Sequence, residues 1–139
     1  MALLMKLPYK ISYTHSVKGG SANMIWVKIN PKFQYDTGLH AHEYEHVKQW
    51  YKMSFMLGVI LLGLSAIYSQ NLLVLTPLIF TVHGLAYAYI KAYRQYCEVQ
   101  AFKEQLKHSP NDLDYFAGYL STWYNLDITV DVAEKLLSE

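Results

Sequence analysis

Residues 40 to 46 read His40-Ala41-His42-Glu43-Tyr44-Glu45-His46, which gathers three of the chain's six histidines into one short stretch. His42-Glu43-Tyr44-Glu45-His46 fits the pattern H-E-x-x-H. On a helix, positions four apart lie one turn up the same face, so both imidazoles reach one ion. Glu43 is rotated about 100° from His42. It stands beside the ion, where it can take a proton from a water that the metal activates. Histidine and glutamate each occur six times in 139 residues, so three fixed positions match by chance in roughly one per cent of such chains. His40 falls on the opposite side of the helix from His42. Glu45 also points away, either solvated or paired with Lys48.

The flanking sequence supports a helix there. Asp36 and Thr37 are good N-cap residues, and no proline occurs from Leu39 to about Tyr68. The first half of this run is polar, HAHEYEHVKQWYK, and the second is almost wholly apolar, FMLGVILLGLSAIY. Ser69-Gln70-Asn71 is a short polar break. The chain is apolar again from Leu72 through Ile90, then polar through Lys107, and Pro77 sits where it can kink the second run. Helices are expected at 112 to 124 and about 130 to 137, the last capped by Thr129 or Asp131. Before the metal motif, residues 9 to 17 (YKISYTHSV) and 25 to 30 (IWVKIN) alternate as strands. Ile11, Tyr13, His15 and Val17 share one face of the first, and Ile25, Val27 and Ile29 one face of the second. Lys18-Gly19-Gly20-Ser21 reads as a turn, which predicts a small antiparallel sheet or hairpin.

Two histidines and a water leave one protein ligand to find. Downstream candidates are His83, Cys97, Glu98, Glu104 and His108. If the two apolar arms run antiparallel around a turn near residue 70, facing positions sum to about 140 on equal helical rise. Glu98 then faces His42. His83 faces Leu57 and lies about 22 Å along the axis from Glu98, too far to share the ion. Cys97 is about 100° from Glu98 and reads as a buried thiol. Glu104 and His108 fall past the motif. For the group that would stabilise an oxyanion, a tyrosine or histidine is expected, without a choice among them.

With His42-Glu43-x-x-His46 on one helix and Cys97-Glu98-Val99-Gln100-Ala101-Phe102 on a later one, residues 25 to 105 resemble the gluzincin metallopeptidases. The E-x-x-A step is similar to the glutamate-helix signature of HtpX-type membrane peptidases and of the small soluble minigluzincins. HtpX-type enzymes also carry two membrane-spanning helices between their metal-binding segments. The resemblance implies zinc, with His42, His46 and Glu98 as ligands and Glu43 as general base. It also implies a strand at the cleft rim, here IWVKIN, that pairs with an extended peptide or protein substrate. The chain is much shorter than the HtpX type and lacks its N-terminal membrane pair. Its length and layout also resemble small phage-encoded peptidases.

Phe55 to Tyr68 carries no charge, and Leu72 to Ile90 has His83 as its one ionisable group. Lys48, Lys52, Lys91 and Arg94 all flank the motif end, the asymmetry of a hairpin inserted from the cytoplasm. That predicts membrane association through residues 53–90, with a cytoplasmic active site. The alternative is contact of the hairpin with copies of itself, in a cytoplasmic or virion-associated protein. His83 would be costly in lipid, which marks it as a functional hint.

The composition, 53% hydrophobic and 17% charged, allows a real core and excludes a disordered chain. A net charge of +1 gives no nucleic-acid footprint. Cys97 alone forms no internal disulfide. The start, MALLMKLPYK, is too soon interrupted by charge and proline for a signal peptide. The expected architecture is α+β, mainly α, as one zincin-like domain over 1–139. It comprises a small N-terminal antiparallel sheet, the active-site helix, the long apolar hairpin leading to the glutamate helix, and two C-terminal helices. The expected function is zinc-dependent peptide hydrolysis. The alternative is a catalytically silent, metal-stabilised component of a membrane or virion assembly.

Overall fold

Asp36 opens the long helix that organises the molecule. Its backbone is extended and its carboxylate accepts a hydrogen bond from the Leu39 amide at 2.8 Å, satisfying one of the donors a helix start leaves free. The computed structural model describes residues 7–139; residues 1–6, within the stretch read as no signal peptide, lie outside the described residues. Helix α1 runs Thr37–Ile67, α2 Thr76–Tyr89, α3 Lys91–Leu106, α4 Leu113–Trp123 and α5 Val130–Ser138. Three short strands precede them: β1 (Lys10–Tyr13), β2 (Gly20–Asn23) and β3 (Trp26–Ile29). The molecule is therefore α+β and mainly helical.

The sheet differs from the expected antiparallel one. Its order is β1-β3-β2, with β1 parallel to β3 and β2 antiparallel to it. The two segments read as strands do pair, but in parallel. Gly20 and Ser21, read as turn, begin β2 instead. The hairpin turn lies at Met24 and Ile25, where Met24 takes a positive φ of 55°. The alternation in β3 behaves as read: Val27 and Ile29 are buried and Trp26 and Lys28 are exposed. Val27 and Ile29 pack on Val47 of α1. All of β1 is exposed, so the half-buried face expected for Ile11 and Tyr13 does not form.

The second core cluster joins α3, α4 and α5 through Val99, Phe102, Phe116, Leu120, Ala133 and Leu137. Between these two cores the apolar arms stand uncovered. Most of the exposed large hydrophobic residues among those described lie between Phe55 and Ile90. Thr37–Ile67 and Gln70–Tyr89 are each long and apolar enough to cross a membrane, and only 11% and 0% of their most apolar windows are buried. A pair of soluble core helices would be largely covered.

The descending arm is not one straight helix. Ser69 caps a 3-10 segment, Gln70–Leu75, before Pro77 enters the first turn of α2. At Ile90 the backbone is extended (φ −108°, ψ 100°), so α2 stops and α3 starts in a new direction. A helix end leaves carbonyls without partners. Arg94 takes two of them, donating to Tyr87 O at 3.2 Å and Ala88 O at 3.0 Å. Trp50 ties α1 to α2 by an indole N–H bond to Phe80 O at 2.9 Å.

Candidate metal centre

α1 and α3 pack side by side and bring His42, His46 and Glu98 together. His42 Nε2 lies 3.3 Å from His46 Nε2. Glu98 Oε2 is 3.5 Å from His42 Nε2, and its Oε1 is 3.4 Å from His46 Nε2. Ligands about 2.1 Å from a tetrahedral zinc stand about 3.4 Å apart, and the two imidazole nitrogens have that separation, with one Glu98 oxygen at a similar distance from each. A cavity of about 410 Å³, lined by all three residues and by Glu43, adjoins them. Glu98 is 1% exposed, and its Oε2 and that of Glu43 are buried without hydrogen-bond partners among the described residues. Buried carboxylate oxygens need compensation, and a cation beside them supplies it. The donor set thus fits a divalent metal.

The surrounding shell orients the ligands. The His46 Nδ1 is 3.0 Å from Gln49 Oε1, so Nδ1 carries the proton and Nε2 is left to bind. Gln49 in turn donates to Cys97 O at 2.9 Å, which ties this shell to α3. The His42 ring meets Phe102 edge-on, with centroids 4.5 Å apart. The Tyr87 hydroxyl donates to Glu98 Oε1, and that of Tyr124 faces the same carboxylate. Burial pushes the Tyr124 phenol up, so it remains a donor.

Electrostatics separates the two histidines and the two glutamates. Burial lowers His42 below its usual value. Burial also opposes charge on His46, but the hydrogen bond and charge of Glu98 outweigh it and raise this ring to about 9 in the metal-free protein. Burial works against charge on Glu98 as well; the nearby His42 and His46 rings outweigh it and hold it well below the ordinary carboxylate range. Glu43 has no such partner, and burial raises it to about 7.

Of the sequence candidates, His42, Glu43, His46 and Glu98 meet at this centre. His40 turns away, its Nε2 lying 2.9 Å from Gln34 O. Glu45 pairs with Lys48. Cys97 is a free, buried thiol. His83 departs from its expected place. It lines the metal-side cavity with His46 and Glu98, and its Nδ1 lies 2.8 Å from the Tyr93 hydroxyl of α3. The estimate of 22 Å assumed uniform rise, and the break at Ile90 folds α2 back against α3. The rim strand also differs: β3 is central, and the edge strand lining the cavity is β2. Tyr87, Tyr124 and Gly20 were not singled out from the sequence. The pattern of tyrosines carries no period that would mark them, and Gly20 is disguised by its turn-like neighbours.

Compared with known protein families, curated proteins and solved structures, the chain matches none.

Proposed function

We propose that this chain is a zinc-dependent peptidase of the gluzincin type, with His42, His46 and Glu98 as the ligands and Glu43 as general base. The observation that carries the reading is the convergence of His42, His46 and the two oxygens of Glu98 at 3.3 to 3.5 Å, with a buried glutamate, Glu43, beside them. Two imidazoles, a carboxylate and one open position suit catalytic zinc. When bound, that ion supplies Lewis acidity to a water and to the scissile carbonyl. Glu43 accepts the proton of the attacking water and returns it to the leaving amide nitrogen. Glu43 is buried with an oxygen that lacks a partner among the described residues, which leaves it able to accept that proton. Gln49, Tyr87 and Tyr124 hold the ligands in place. The edge strand β2 offers its backbone to an extended peptide.

The hairpin, residues 53–90, is proposed to sit in the membrane, inserted from the cytoplasm. Lys48, Lys52, Lys91 and Arg94 then lie at the cytoplasmic surface and the centre opens just above it. His83 would face the protein cavity rather than lipid.

The test is metal content and hydrolysis together. Wild type purified without chelator should hold about one zinc per chain, and Glu98→Ala should lose it or bind it far more weakly. Glu43→Gln should keep the zinc and lose cleavage of a peptide library. A structural site has no need of Glu43. Zinc without hydrolysis in the wild type would therefore favour the metal-stabilised assembly component.

A further inference from the structure

A second cavity, about 420 Å³, opens on the far side of Glu43. It shares Gly20, His42, Glu43 and Tyr124 with the metal-side cavity, but not His46 or Glu98. The two are halves of one cleft, divided at the general base. A peptide lying along β2 past Gly20 would place its scissile bond at that divide and a flanking side chain in the second half.

The wall of this half is aromatic. Helix α4 presents Tyr115, Tyr119 and Trp123 in a row, one turn apart. Their neighbouring ring centroids are 5.2 and 5.7 Å apart, and the Tyr119 and Trp123 rings are stacked. These rings are 61%, 39% and 61% exposed, while Phe116, Ala117 and Leu120 on the same helix fill the core. The stripe is therefore not needed to close the fold. Phe33 and Leu39 line the same cavity. Two of the charged groups in this half are already engaged. Lys18 Nζ lies 5.1 Å over the Trp123 ring, and the Asp36 carboxylate caps α1. The Asp112 carboxylate, at the start of α4, also lines this half and makes no capping bond, but the row of rings makes up the greater part of the wall, and an aromatic guest gains ring contacts there beyond its burial.

We infer that this second cavity is the specificity subsite of the proposed peptidase, and that it takes a large aromatic or aliphatic side chain, such as Phe, Tyr, Leu or Met, from a residue flanking the scissile bond. The inference rests on the peptidase reading for its role. The pocket's affinity for such a side chain does not.

Two measurements on the full chain separate these. In the first, N-acetyl-4-benzoylphenylalanine amide is photolysed with the zinc-loaded protein. Adducts are expected within residues 113 to 124, reduced at least about fivefold by excess N-acetyl-phenylalanine amide, unchanged by N-acetyl-alanine amide, and lost in Tyr119→Ser/Trp123→Ser. Retained zinc in that double variant reports an intact centre. Adducts confined to the apolar hairpin, or labelling that the phenylalanine amide does not compete, would overturn the inference. In the second, cut sites in a peptide library should show a large apolar residue enriched at one flanking position, and the double variant should lose that enrichment. Cleavage by the wild type with no such preference would also overturn it. Competed labelling without any cleavage would uphold the apolar pocket and defeat the peptidase reading.

Discussion

A Cβ placed on Gly20 would stand 2.3 Å from Oε1 of Glu43. A side chain at position 20 would therefore push the Glu43 carboxylate aside. Glu43 lines a cavity on either side, so its carboxylate has space to shift into. The contact fixes where the base stands between the two halves of the cleft. Gly20→Ala should displace the carboxylate while leaving His42, His46 and Glu98 in place. Zinc content is expected to stay at wild-type level and peptide turnover to fall by about a hundredfold, the usual cost of misplacing a catalytic group by an ångström. Unchanged turnover would show that the contact does not position the base.

Gln49 links His46 to the backbone of α3, which makes it a positioning residue for the metal. Gln49→Ala removes the acceptor that fixes the His46 tautomer and leaves Cys97 O without its buried donor. Zinc affinity should weaken by about ten- to a hundredfold. Competition with a chelator of known affinity measures it. Hydrolysis at saturating zinc should largely recover, which would set this residue apart from Glu43.

The metal-free protein should carry a pH signature of Glu43. Burial raises its carboxyl from 4.5 to about 7, so the folded state holds this proton more tightly than the unfolded chain. Stability from this group is thus full below pH 4.5 and declines as pH rises towards 7. Glu43→Gln removes the decline. Chelator-treated Glu43→Gln should match the wild type near pH 4 and exceed it at pH 8 by up to about 3 kcal/mol. Paired thermal melts across that range give the difference. A gap that does not widen with pH would contradict the assignment.

Arg94 closes the open end of α2 by donating to Tyr87 O and Ala88 O. Those two bonds hold the break that brings His83 and Tyr87 back towards the centre. Arg94→Met keeps the length of the side chain and removes both donors. It should cost about 1 to 3 kcal/mol and lower zinc affinity through Glu98, whose oxygen Tyr87 holds. Arg94→Lys should recover only part of the loss, since one ammonium does not reproduce the guanidinium fork.

The proposed membrane hairpin makes a topological prediction. With Cys97→Ser removing the native thiol, a cysteine introduced by Asn71→Cys should be shielded from an impermeant maleimide applied on the cytoplasmic side. One introduced by Lys52→Cys should be labelled. Equal labelling of both positions in intact membranes would rule out insertion and point to contacts between copies.

The sequence by itself determined the helix that carries His42, Glu43 and His46. A spacing of four residues means one face of a helix wherever that helix lies, so His42, Glu43 and His46 needed no tertiary information. Val27 and Ile29 were equally legible, because period-two alternation names the buried face of a strand. The pairing of Glu98 with His42 is kept, although the equal rise from which it was expected is interrupted at Ile90. The tertiary structure decided the rest. That β1 lies parallel to β3, and that Gly20 and Ser21 form the edge strand, depends on hydrogen bonds between segments, which local propensity does not encode. His83 was misplaced because one unpatterned residue, Ile90, adopts an extended backbone and ends the rise that the register assumed. The approach of Gly20 to Glu43 and the aromatic half of the cleft exist only where β2, α1 and α4 converge. Side chains far apart in the chain acquire a common function there because packing, rather than spacing, sets their distance.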